Sequence, residues 1–143
     1  MRFPAALVLG LLAASSVLAT DSDYRRAQYN YQMFCQGCHA PDGRGAGDIP
    51  RMKDHIGHFM TTQGGREYLV RVPGAATSAL SDTDLEGVLN WIVQEFSGVS
   101  AHTDFKHYSP AEVGRLRQNP LNEVEQHRAD LLAQMPAATQ EIE

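Results

Sequence analysis

Cysteine occurs twice in this chain, in the stretch Met33-Phe34-Cys35-Gln36-Gly37-Cys38-His39-Ala40. Two thiols at that spacing can close a disulfide, act as a redox dithiol, supply half of a zinc site, or add across the two vinyl groups of a porphyrin. A Cys35–Cys38 disulfide would close a very small ring and stabilise little through loop entropy. A thioredoxin-like dithiol sits beside a βαβ pattern, which the flanking sequence lacks. A structural zinc site needs four ligands, and only one cysteine pair exists. Cys-x-x-Cys-His is the attachment signature of c-type haem. One helical turn presents both sulfurs to the same edge of the ring, and two thioethers form. His39, the next residue, then offers an imidazole nitrogen to the iron as proximal ligand, with Gln36 and Gly37 as spacers. The expected cofactor is therefore one haem c, covalent through Cys35 and Cys38, with dithiol chemistry and a metal site as the alternatives.

The surrounding pattern is helical. Before the motif, residues 21–34 carry Tyr24, Tyr31 and Phe34 at a spacing that puts them on one side of a helix. After it, Pro41, Asp42, Gly43, Gly45 and Gly47 mark an irregular loop over residues 40–49. Gly45-x-Gly47 is no nucleotide fingerprint, since no strand precedes it. Residues 50–60 read as a short helix interrupted by Gly57, and residues 64–72 as another, stopped by Pro73-Gly74. Ser81 is an N-cap with Asp82 and Asp84 in the first turn, where the helix dipole favours negative charge. Leu85, Val88, Leu89, Ile92, Val93 and Phe96 then form the clearest apolar stripe in the chain, bordered by Trp91. A linker over residues 97–107 leads to the capping box Ser109-Pro110-Ala111-Glu112 and a short helix to about Gln118. Leu121, Val124, Leu131, Leu132 and Met135 suggest a last helix, followed by a loose tail. With no convincing strand and no internal repeat, the fold class is all-α.

The first residues read as a leader. Arg2 supplies the positive start, residues 3–17 are apolar but too short to span a bilayer, and Val17-Leu18-Ala19 offers a small-residue cleavage site. The expected division is a signal peptide over 1–19, a core over 20–98 and a helical extension over 99–143. Export leaves no stable membrane insertion and points to the periplasm, an oxidising compartment. The 143 residues carry a formal net charge of −5. Nucleic acid is an unsuited partner, because it demands a basic face.

The motif and its flanks resemble the class I c-type cytochromes over residues 24–96. The resemblance rests on C-H-A-P-D-G-R-G-A-G after the attachment site, on Pro50, and on L-S-D-T-D-L-E-G-V-L-N-W-I as a closing helix. The stretches I-P-R-M-K-D-H-I-G-H-F-M and G-G-R-E-Y-L-V-R-V-P-G-A-A are similar to those of small exported monohaem cytochromes. The resemblance implies a cytochrome c-like helical fold in which the first and closing helices cross, through Tyr31 or Phe34 against Trp91 or Val88. It also implies that the Pro50 carbonyl accepts the ring N–H of His39, which would fix the imidazole and raise its basicity.

The family places a methionine ligand just before the closing helix, and residues 72–79 contain none. Met52 is the first candidate for the sixth ligand. Its soft thioether suits haem iron and would raise the potential, although it also suits space-filling beside the ring. Met60 is next, and His55 or His58 would give a bis-histidine haem. His102, His107 and His127 lie outside the common core, with His107 able to reach back only if the extension folds over the ring. Met33 should point away, and Met135 should be core. An open iron is the remaining case. Arg51, Lys53, Arg66 and Arg71 are candidates to pair with a propionate, and Tyr68 to donate to one or to pack. No Ser/His/Asp set or paired carboxylates stand out, so an enzyme is not the expectation. The expected function is a monomeric periplasmic electron carrier between a dehydrogenase donor and an oxidase or cytochrome acceptor. The alternatives are an open-site haem protein for small gases or peroxide, and a haem subunit of a larger redox complex. The extension would cover the haem or form a docking face.

Overall fold

The computed structural model describes the backbone of residues 14–102 and 104–135, with side chains from residue 21. The leader expected over 1–19 and the tail beyond residue 135 fall largely or wholly outside that description. The described residues are all helical or irregular, and none lies in a strand. Helix α1 spans Ala14–Phe34 and α2 Gln36–His39. After a long loop come α3, Ile56–Phe59, α4, Gln63–Arg71, and the single turn α5, Pro73–Ala76. Helix α6 is Asp82–Phe96, and a 3-10 turn over Gly98–Ser100 follows it. Helices α7, Pro110–Leu116, and α8, Val124–Ala133, close the order.

The architecture rests on α1 crossing α6. The apolar stripe of α6 is inward as its spacing predicts, with Leu85, Val88, Leu89, Ile92, Val93 and Phe96 all buried, and Trp91 buried with them. Ser81 caps the helix by accepting the Asp84 N–H (3.1 Å). From α1, Ala27, Asn30 and Tyr31 turn inward. The Tyr31 ring lies 5.0 Å from Trp91 and 5.3 Å from Phe96, between centroids. Tyr24 and Phe34 do not share that face: they are 37% and 50% exposed. The contact takes in Tyr31 and stops one turn short of Phe34, while Tyr24 makes a T-shaped contact with Trp91 and donates its hydroxyl to Glu95 (2.8 Å).

Two other expectations are corrected. Residues 50–60 are helical only over α3, and Gly57 lies inside that turn rather than breaking it. A side chain at Gly57 would run into the Ser100 carbonyl, so the glycine permits close packing. Helix α7 ends at Leu116, two residues before the expected end.

The segment beyond residue 98 is built into the same core. Tyr108, Val113 and Leu116 belong to the apolar cluster that holds Tyr31 and α6. Tyr108 is held by Asn90, whose Oδ1 accepts the Tyr108 N–H (2.8 Å) and whose Nδ2 donates to its carbonyl (3.2 Å). Leu121, Leu131, Leu132 and Met135 form a second cluster with Phe59 and Tyr68, over α4.

Candidate haem site

The site begins where α1 ends. Phe34 closes the helix and Cys35 makes the break, yet the chain does not change course freely there. Cys35 N–H donates to Tyr31 O (2.9 Å), and His39 N–H donates to Cys35 O (3.0 Å). Cys35, Cys38 and His39 therefore share one helical turn, and both thiols are free. The Tyr31 hydroxyl donates to Ala40 O (2.5 Å), tying the far side of the motif to the helix crossing. Cys35 is half buried and Cys38 exposed. Burial, with the neighbouring Cys38 second, pushes the Cys35 thiol up to about 11.

The loop then doubles back. Ala40 and Gly43, Gly45 and Gly47 all have positive φ. Gly45 is the position that most needs it: its N–H donates to His39 O (3.1 Å), and a Cβ there would strike the Ile49 carbonyl. Met52 and Lys53 both donate to Gly43 O, and Asp54 N–H donates to Phe96 O (2.7 Å), which fastens the loop to the end of α6.

His39 Nδ1 is buried with no hydrogen-bond partner. The expected bond to the Pro50 carbonyl is not formed. The tight turn brings the Ile49 and Pro50 carbonyls against Gly45 instead. Burial lowers the His39 pKa from its ordinary 6.5, favouring the neutral imidazole, the form able to bind iron. Cys35, Met52, Met60, Leu69 and Ala75 are each half buried against some part of the main cluster. One turn carrying two thiols, followed by an imidazole whose neutral form burial favours, fits a covalently attached haem. The zinc alternative finds no support: among the described residues, no three His, Cys, Asp or Glu side chains gather to hold a metal ion.

The other candidates scatter. Met60 is half buried, its Sδ 3.4 Å from the Tyr108 hydroxyl, which donates to Arg66 O (2.8 Å). His55 is buried, with its ring against His58 and Phe59. His58 also faces His102, and burial with that neighbour lowers its pKa. His107 is exposed and stacks on Phe105, and His127 stacks on Tyr68. Met33 is exposed and Met135 buried.

Three of the four cations considered for a propionate already have protein partners. Arg66 is buried, forks onto both carboxylate oxygens of Glu112 (2.7 and 2.8 Å), donates to the Lys106 and His107 carbonyls, and lies over the Tyr108 ring. Arg71 donates to Asn119 O (2.8 Å), and Arg51 to Lys53 O and Asp54. Tyr68 packs between Phe59 and His127. The Arg66 and Arg71 partners lie 40 to 48 residues away along the chain, where no local pattern announces them. An open groove of about 990 Å³ runs between the middle of α1 and α6, bordered by Asp21, Asp84 and Glu86, and no residue of the motif lines it.

Two curated proteins from Thermus thermophilus are similar to this chain, and both are named cytochrome c-552. Each is 29% identical over 106 residues, an alignment covering 61% of this chain and 81% or 72% of the relative. No family model matches, and no solved structure matches. The fold, the attachment turn and this distant likeness together support a c-type cytochrome.

Proposed function

We propose that this protein is an exported monohaem c-type cytochrome that carries one electron from a dehydrogenase to an oxidase or another cytochrome in the periplasm. The observation that carries the reading is the single turn bearing Cys35, Cys38 and His39, braced by Tyr31 at the α1–α6 crossing. Cys35 and Cys38 would hold one haem c as thioethers and His39 would ligate its iron, which, when bound, supplies a one-electron redox centre. The protein's part is to fix the attachment turn, keep the imidazole neutral and cover much of the ring with apolar side chains. Such a carrier meets its partners through small, short-lived contacts. The names of the two relatives support this class.

Met52 is our choice for the sixth ligand. Met52 and Met60 both pack against the cluster that Cys35 also borders, and Met52 is preferred for its soft thioether in the stretch that resembles the small cytochromes. A second reading, an open iron for gases or peroxide, draws on the absence of methionine from residues 72–79. Adding carbon monoxide to the reduced protein separates the two. A low-spin spectrum that carbon monoxide leaves unchanged supports the carrier, and Met52→Ala should then create a carbon monoxide-binding form. A high-spin spectrum that shifts promptly contradicts it.

A further inference from the structure

Ala40, the residue after His39, stands at φ 61° and ψ 165°. Glycine enters that region freely, and a Cβ makes it strained. Such a residue persists only where its surroundings hold it. The relaxed alternative is an extended conformation at negative φ, since Pro41 behind Ala40 disfavours the helical one. Passing to it would swing His39 and α2, on one side of Ala40, against the glycine loop on the other.

Tyr31 supplies the hold. It is 1% exposed, with its ring against Trp91 and Phe96. Its hydroxyl donates to Ala40 O (2.5 Å), and its carbonyl accepts the Cys35 N–H (2.9 Å). One buried residue of the helix crossing thus grips the attachment turn at both ends. Within the turn, Ala40 N–H donates to Gln36 O (2.9 Å), which couples any movement of Ala40 to α2 and His39. His39 Nδ1 has no hydrogen-bond partner, so the main chain sets where the imidazole points. We propose that Tyr31 is a positioning residue for the proximal imidazole: its hydroxyl latches Ala40 at positive φ and so fixes the direction in which His39 meets the iron. The proposal rests on the haem reading above.

The test uses the full-length haem protein and the variants Tyr31→Phe, Ala40→Gly and the two combined. Tyr24→Phe is the control, because it removes another α1 hydroxyl, the one that donates to Glu95 (2.8 Å). Covalent haem is first verified in each by the alkaline pyridine spectrum. The proton shifts of the haem methyls are then recorded in the oxidised protein, because unpaired spin reaches the four methyls in proportions that depend on the orientation of the axial imidazole. This readout serves a closed iron as well as an open one. Exchange of the Gly45 amide, which donates to His39 O, is measured beside it. Tyr31→Phe should displace the methyl resonances and raise the Gly45 exchange rate roughly fivefold, the loss of one hydrogen bond. Ala40→Gly should leave both near the unaltered protein. Added to Tyr31→Phe, it should return both toward the unaltered values, because glycine needs no latch to stay at positive φ. Unmoved methyl shifts in Tyr31→Phe overturn the proposal. So does a combined variant displaced as far as Tyr31→Phe, which would show that Ala40 is not the link, and so does an equal displacement in Tyr24→Phe, which would mean general loosening. If Tyr31→Phe takes up no haem, uptake restored by Ala40→Gly supports the latch and continued failure overturns it. No covalent haem in the unaltered protein would overturn the haem reading itself, and this proposal with it.

Discussion

Gly45 shows how far the chemistry of the attachment turn depends on residues that carry none. It stands at φ 77° with its N–H on His39 O, and an added Cβ would strike the Ile49 carbonyl. An alanine there meets both a left-handed backbone and a main-chain clash. Gly45→Ala should lower stability by about 1–3 kcal/mol, read as a shifted urea midpoint at constant slope. An unchanged midpoint would contradict the described loop. The single turn that carries Cys35, Cys38 and His39 was legible from their spacing. The missing bond from His39 to Pro50 was not, because it depends on which way two carbonyls point in a glycine loop.

Among the elements, α6 was the most legible. Its cap, acidic first turn and apolar period agree, so the structure reproduces the expected helix to within a residue at either end. Residues 50–60 were the least legible. Their apolar residues suggested a helix, but the chain spends residues 51–54 fastening the loop to Gly43 O and Phe96 O. At this scale the link between α4 and α7 has a pH signature. Arg66 beside Glu112 holds the carboxyl below its ordinary 4.5. A carboxylate whose folded pKa is depressed contributes stability fully above its unfolded value and loses it as pH falls through the folded value. Stability should therefore decline below about pH 4.5, and Glu112→Gln should flatten that decline while lowering stability at neutral pH. Thermal melts from pH 3 to 7 check this, and identical acid limbs in the two proteins would contradict it.

The whole molecule is more unified than its sequence suggests. The C-terminal segment reads as an addition to a shorter core, yet it supplies Tyr108, Val113 and Leu116 to the main cluster and the partner of buried Arg66. Stripping one member from a buried ion pair costs about 3–5 kcal/mol, before the exposed apolar surface is counted. Against a typical total of about 5–15 kcal/mol, a chain ending after residue 98 should melt far below the full-length protein. An equal melting temperature would show that the extension is a separable arm. Long-range arginine bonds explain why this was illegible: their partners are carbonyls and carboxylates some 35 to 48 residues distant, which no periodicity encodes.

The central claim is that Cys35 and Cys38 carry a haem on the turn that ends in His39. The most direct measurement is acid–acetone extraction of the purified pigment, followed by the alkaline pyridine spectrum of the protein and of its Cys35→Ala/Cys38→Ala variant. The colour should stay with the unaltered polypeptide, its spectrum should show two thioether links, and the double variant should lose the covalent pigment. Colour that extracts into the solvent, or a double variant that retains it covalently, would contradict the account.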